Sequence, residues 1–223
     1  IQSGSGGLLN GAAGSTSSTV NLNTTARIGA GAQVHVLMPA TGVGSFTMDA
    51  FNQVVGHDKA KLDSGGLVAI ALTETLFNAG GSATAELGNN ARITSDLGDI
   101  GIGSSAQVDL DTRASSDTYG LAGAPRGKAY STWVGDNRTV LNSGARLLAD
   151  QRAVVLAAGQ NSAGAAGSVQ ADSEVRLWNK TAFPINGTPD AQTRVTSNAS
   201  LELLGTSDVQ TAADITLSAD QGR

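Results

Sequence analysis

The side chains of this sequence best suited to chemistry are two histidines and a group of aspartates. The histidines are His35 and His57. His35 stands between Val34 and Val36, so its ring points outward if the valines point inward, and His57 is predicted to lie in a turn. No third ligand follows at a spacing typical of metal sites. We therefore expect both histidines to face solvent and to hold no metal.

Asp109 and Asp111 flank Leu110 and are predicted to share the outer face of a strand. Paired carboxylates carry out glycoside hydrolysis, and carboxylate oxygens also bind calcium. The sequence lacks the Asn-Thr-Asp and Asp-Asp motifs of pectinases and the glycine-rich calcium nonapeptide. We expect a solvated face, and the chain is not predicted to be an enzyme or to hold a catalytic residue, cofactor or metal. A calcium site and a polysaccharide-active β-helix enzyme, lyase or hydrolase, stay as alternatives.

Four arginines occupy the same place in a recurring Ala-Arg-Ile/Leu phrase and are candidates for ligand contact. They are Arg27, Arg92, Arg146 and Arg176. If the phrases stack in register, these guanidinium groups line one face, where they suit carboxylate or sulfate groups of a polysaccharide. The alternative is an ordinary charged strand surface that resists lateral pairing.

Four aromatic residues are the other candidates for ligand contact: Tyr119, Tyr130, Trp133 and Trp178. Exposed tryptophan and tyrosine rings stack on sugars and anchor protein contacts. The alternative is that Tyr130, Trp133 and Trp178 fold back and cover the side of the domain. The burial of Trp133 and Trp178 distinguishes the two interpretations.

The elements that position these residues are short strands. Apolar and polar residues alternate over short segments separated by Gly, Asn, Ser or Asp, and this period of two is a strand signal. The phrase recurs at Ala26, Ala91, Ala145 and Val175, and its spacing is not constant. We predict stacked coils of about 20 residues with insertions, in which Val, Ile and Leu form rows along the axis. About eight such coils would make a rod roughly 40 Å long.

Three segments break this pattern and are predicted to be insertions outside the coils. They span about 37–57, 111–136 and 179–194. All four prolines and most aromatic residues lie in them. Proline has no N–H to donate and is poorly suited to an internal strand ladder.

Composition excludes several classes of function. The 223-residue chain has a net charge of -5 and a pI near 4.9, which disfavours nucleic acid and anionic membrane surfaces as partners. It has no run of about 18 apolar residues, so direct membrane insertion is not expected. It has no cysteine, which excludes disulfides and thiolate sites.

Three phrases resemble the repeats of filamentous haemagglutinin-like exoproteins. They are Asn90-Ala91-Arg92-Ile93, Gly144-Ala145-Arg146-Leu147-Leu148-Ala149 and Asp214-Ile215-Thr216-Leu217-Ser218-Ala219. The resemblance covers most of 17–221 apart from the three insertions. Those proteins are large bacterial adhesins exported by two-partner secretion, and their repeats form right-handed parallel β-helices.

The resemblance implies that residues 1–223 form a single β-helix segment of a longer extracellular protein at the bacterial cell surface. The implied function is a stiff display rod for cell attachment or biofilm cohesion. The implied partners are a carbohydrate, matrix polysaccharide or host surface, and an outer-membrane secretion partner. A passive stalk without a ligand is a further alternative.

Overall fold

The computed structural model describes residues 2–37 and 42–220, and these residues form strands and turns without a helix. The strands are β1 (Gln2–Ile28), β2 (Gln33–Val36), β3 (Phe46–Leu87), β4 (Arg92–Ser95), β5 (Ile100–Leu141), β6 (Arg146–Ala149), β7 (Val154–Ala158), β8 (Ser168–Pro184), β9 (Thr188–Leu203), β10 (Asp208–Thr211) and β11 (Ile215–Ala219).

The strands stack in parallel, coil upon coil, in two sheets. A seven-stranded sheet has the path β1-β3-β5-β7-β11, with β8 and β9 paired to β5, and a four-stranded sheet has the order β10-β6-β4-β2. Every ladder that joins two of these strands is parallel. The prediction of an all-β parallel solenoid is therefore confirmed.

The predicted coil length was wrong. Gln2 lies beside Lys61 of the next coil, and Phe46 lies beside Ile100 of the coil after that. One coil therefore holds nearly three times the residues expected, and the chain makes about four coils, not eight. At about 4.8 Å per coil the stack rises only roughly 15–20 Å, so it is wider than it is tall. The phrases at Ala91 and Ala145 lie on the same side of successive coils, and those at Ala26 and Val175 lie on other sides.

Much of each coil is a strand that folds back on itself. In β5, Ser104 Oγ lies 3.1 Å from Thr139 Oγ1, and Thr112 Oγ1 lies 2.9 Å from Ser131 Oγ. Both pairs are centred just after Gly120, which has a φ of +130°. We call this doubled part of the coils, residues 104–139 in β5 and their stacked neighbours, the arm. Each half of it is about 55 Å long at roughly 3.3 Å per residue.

The arm holds an apolar cluster that includes Val108, Leu110 and Trp133, and the rest of its interior is polar. Small hydroxyl residues from the two halves face one another and are buried; they include Thr73, Thr75, Thr112, Ser116, Thr118 and Ser131. Hydroxyl groups from the two halves form hydrogen bonds with each other, as Thr112 does with Ser131. These bonds compensate for the burial of the polar groups. The axial rows in this part of the arm are therefore built from Ser, Thr and Ala in addition to Val and Leu.

The rest of the coil has the apolar rows that the sequence predicted. Ile93 stacks on Leu147, and Ile100 stacks on Val154, all at no more than 1% exposure. Ile215 of the last coil continues the row of Ile100 and Val154, and it is 46% exposed. A row is buried only where coils above and below cover it, as expected of a solenoid.

The predicted insertions belong to the stack. Residues 111–136 lie inside β5, 46–57 inside β3, and 179–194 mostly in β8 and β9; residues 38–41 of the first predicted insertion lie outside the described residues. The ladder to the next coil is interrupted at 124–125, where Pro125 has no N–H to donate. A coil can thus include these prolines by losing a few ladder bonds. A segment that does leave the coil is 159–167, between β7 and β8.

Candidate functional site

The four candidate aromatic residues divide into two buried or tethered rings and two exposed rings. Trp133 is 1% exposed, and its Nε1 donates to Ser197 Oγ at 3.0 Å. Tyr130 is half-buried, and its hydroxyl donates to Asp190. This bond raises the pKa of Tyr130 and lowers the pKa of Asp190. For Trp133 the covering interpretation is correct, and the hydroxyl of Tyr130 is held against the adjacent coil.

Trp178 and Tyr119 are exposed and lie together near the end of the arm. Trp178 is 58% exposed and Tyr119 is 38% exposed. In the ladder Trp178 lies beside Asp117, and Lys180 lies beside Tyr119. The Nζ atom of Lys180 is 5.4 Å from the centroid of each aromatic ring. Such distances permit a cation–π interaction, which fixes the two rings around one ammonium group.

Charged residues border these rings on the neighbouring coils. Lys61 Nζ lies 3.6 Å from Asp117 Oδ2 and 3.5 Å from Asp63 Oδ1. The carboxylate of Asp63, followed by that of Asp117, raises the pKa of Lys61, so this side chain is protonated at neutral pH. We call Tyr119, Trp178 and Lys180, with Lys61, Asp63 and Asp117 beside them, the aromatic patch.

A bend formed by stacked glycines places the patch at the end of the arm. Gly7, Gly66 and Gly120 lie beside one another in successive coils. A Cβ on Gly120 would lie 1.7 Å from the carbonyl oxygen of Gly66, so a side chain cannot be accommodated. Tyr119 comes directly before this bend, and its ring therefore stands at the far end of a hydrogen-bonded support.

The expected row of four arginines does not form. Arg92 and Arg146 lie side by side in the four-stranded sheet. Arg27 pairs with Glu86 at 3.4 Å, and Arg176 lies beside Ser115 in another part of the coil. The prediction assumed that each phrase was one coil, and in the much longer coils of the structure the phrases of Arg27 and Arg176 fall on other sides than those of Arg92 and Arg146.

Three of the four arginines, Arg27, Arg146 and Arg176, also lie beside carboxylates. Arg176 Nε donates to Glu174 Oε1 at 2.6 Å, and Arg146 lies 3.6 Å from Asp208. Ion pairs at this level of exposure contribute little to stability but cancel the local positive charge. Of the predicted cationic face, the fold brings together Arg92 and Arg146.

The histidines and aspartates lie on the outer surface. His35 Nε2 is 2.7 Å from Asp96 Oδ1. His57 lies inside β3 and not in the predicted turn, with Nδ1 3.9 Å from Asp111 Oδ2. Asp111 also accepts a bond from Arg113 Nε at 2.9 Å. Across residues 2–37 and 42–220, no group of three or more His, Asp or Glu is placed to hold a metal ion.

The sequence prediction missed Lys180 and Lys61. The signal for Lys180 was its position two residues after Trp178, which places both side chains on one face of a strand. For Lys61 no signal was available, because its closeness to the rings depends on the coil length, which the ladder between β3 and β5 sets.

Comparisons with family models, with curated proteins and with solved structures give no match for this chain. In the part of the chain that the structure describes, no helix is long and apolar enough to cross a membrane.

Proposed function

We propose that this chain is a structural and display segment of an extracellular bacterial adhesin, which attaches cells or binds biofilm matrix through a carbohydrate held at the aromatic patch. The observation that carries the proposal is the exposed Tyr119–Lys180–Trp178 cluster at the end of a long arm. Export through an outer-membrane partner is part of the proposal and rests on the resemblance of the repeat phrases.

The support for a display role comes from the arm. Its strands pair with neighbours through long parallel ladders, of which the β3–β5 ladder extends from Phe46 to Leu87. A ladder of this length holds its backbone in one arrangement. The patch is therefore presented about 50 Å away from the base of the arm at Ser104, on a support that resists bending.

The support for a carbohydrate ligand comes from the chemistry of the patch. Two exposed rings offer apolar faces that pack on the C–H face of a pyranose ring. The ammonium groups of Lys180 and Lys61 can bond hydroxyl, carboxylate or sulfate groups, and Asp117 can accept bonds from hydroxyl groups. The patch thus has groups suited to the apolar C–H face of a sugar and groups suited to its polar substituents.

A glycan array on the whole chain tests the proposal, followed by titration of each ligand that binds. We expect Trp178→Ala and Tyr119→Ala each to weaken binding about fivefold or more, because stacking of a base on an aromatic side chain, a comparable contact, contributes on the order of 1–3 kcal/mol. Val134→Ala is the matched control, since Val134 is also exposed, at 51%, on a strand outside the patch.

The tryptophans provide a direct readout of the contact. Trp178 is exposed and Trp133 is buried, so a ligand at the patch is expected to change the emission of Trp178 alone. Equal affinity of the wild type and both aromatic variants would reject the patch as the binding site. Absence of binding to any glycan would favour the passive stalk.

A further inference from the structure

The segment 159–167 leaves the coil after β7 and packs across the outer face of the two coils beneath it. Ser162 donates from its backbone N to Asp49 Oδ1 and from its Oγ to Asp49 Oδ2, both at 2.6 Å. Asp49 lies on β3, while β7 is separated from β3 by β5. The segment therefore reaches back over one complete coil to make these bonds.

Two glycines on β5 make room for this segment. A Cβ on Gly101 would lie 2.5 Å from the carbonyl oxygen of Ser162, and a Cβ on Gly103 would lie 2.4 Å from the backbone N of Ser162. Both positions point outward, where neighbouring coils carry side chains such as Asp49. The bare backbone at these positions allows the segment to lie flat on the sheet.

The segment is held by its own hydrogen bonds as well. Asn161 Oδ1 accepts bonds from the backbone N–H groups of Ala163 and Ala165, at 3.0 and 2.9 Å. Gln160 forms isolated bridges to Ser104 and to Ala166. A segment with this many internal bonds has a fixed shape, so its edge can form the wall of a binding site.

Between the segment and the sheet lies a cleft of about 460 Å³. Its lining residues include Asp49, Phe51, Ser105, Gln107, Asn161 and Ser168. The volume falls in the range of small-molecule sites, about 300–1,000 Å³. Phe51 is 46% exposed, so its ring presents an apolar surface to the cleft. The site thus combines one aromatic ring with several hydroxyl and amide groups.

From these observations we infer that the cleft is a second carbohydrate site, one that takes a neutral saccharide. A pyranose ring packs on Phe51, and its hydroxyl groups bond to the Gln107 amide and to the hydroxyls of Ser105 and Ser168. Among the described residues that line the cleft, Asp49 carries the charge and no cation is present. This negative charge repels a uronic acid or a sulfated sugar and leaves a neutral sugar as the favoured ligand.

The cleft is independent of the aromatic patch. Ser105 and Tyr119 are both on β5, and the strand between them is about 45 Å long. A ligand in the cleft therefore cannot contact Trp178 as well unless it is an extended polymer.

The test is calorimetric titration of the whole chain with neutral di- and trisaccharides and with their uronic acid counterparts. We expect the neutral sugars to bind and Phe51→Ala to weaken that binding at least tenfold. Val55→Ala is the matched control, because Val55 is 60% exposed further along the same strand and is not part of the cleft. Each titration is also made in a Trp178→Ala background, so that sugar bound at the aromatic patch is not counted.

A second variant tests the role of the segment. Gly103→Val displaces residues 161–162 and is expected to abolish binding, and Asp49→Asn, which retains the size of the side chain, is expected to relax the preference for neutral sugars. Circular dichroism checks that each variant is folded. The inference is overturned if Phe51→Ala and Asp49→Asn both bind as the wild type does, if Trp178→Ala removes the binding, or if only acidic sugars bind.

Discussion

Replacement of Trp133 by alanine tests the division of the aromatic residues into core and ligand-contact groups. Trp133 is 1% exposed and lies between Ala79 and Val195 of the adjacent coils. Its ring is so close to Gly135 that a Cβ there would lie 2.6 Å from Trp133 Cζ2. Truncation of a buried tryptophan costs about 3–5 kcal/mol, because apolar surface is lost and a cavity is left. We expect Trp133→Ala to lower the free energy of unfolding by this amount.

The control is the same substitution at the exposed tryptophan. Trp178 is 58% exposed, so Trp178→Ala is expected to change the free energy of unfolding by no more than about 0.5 kcal/mol. Urea unfolding followed by circular dichroism in the β-sheet region measures both. Trp133→Phe is expected to cost about 1–2 kcal/mol, since it keeps most of the buried ring and removes the bond to Ser197.

Fluorescence gives a second measurement on the same variants, because the chain has two tryptophans. Trp178→Ala leaves Trp133 as the sole emitter, and its emission is expected to be blue-shifted and protected from iodide. Trp133→Ala leaves the exposed ring, which is expected to be quenched. The register assigned to the arm is incorrect if Trp133→Ala, like Trp178→Ala, costs less than about 1 kcal/mol, which is well under the range for a buried ring. It is also incorrect if Trp133 is quenched as readily as Trp178.

Three further outcomes are expected. Gly120→Ala lowers the free energy of unfolding by at least about 2 kcal/mol, because φ is +130° and a Cβ there collides with the adjacent coil; an unchanged urea midpoint would contradict the assigned bend. Thr112→Val costs about 0.5–1.5 kcal/mol, since the buried hydroxyl of Ser131 loses this partner but still donates to the carbonyl oxygen of Asp172, and Thr112→Ser restores most of the loss. The bond from Arg138 holds the pKa of Glu202 below its usual value, so its stabilising effect is complete above about pH 4.5 and is lost as pH falls through the lowered pKa. Glu202→Gln is expected to flatten the stability profile below about pH 4.5, and an unaltered acid limb would show that this pair does not contribute.

Local patterning determined the class of the fold. An alternation of period two, with Gly and Asn at the breaks, specifies strands whatever their partners are, and the apolar rows that contain Ile93 and Ile100 were predictable from it. The prediction that Asp109 and Asp111 share an outer face follows from the same period. These features depend only on neighbouring residues.

The coil length could not be read from the same pattern, because every strand of a coil shows the same alternation. The Ala-Arg-Ile/Leu phrase looks like one repeat per coil, yet Arg27 and Arg92 lie on different ladders. Without the coil length, neither the neighbours of an arginine nor those of Lys61 can be named. The segment 159–167 was missed for a related reason, since its Gly, Ala and Ser content matches that of the turns.

The sequence by itself therefore determined that the chain forms parallel strands with side chains pointing alternately inward and outward. Only the tertiary structure decided which residues from distant parts of the chain share a surface. It placed Trp133 between two coils and left Trp178 exposed beside Tyr119 and Lys180. The physical reason is that a period of two fixes the direction of a side chain, while the register between coils, set by their length, fixes what it contacts.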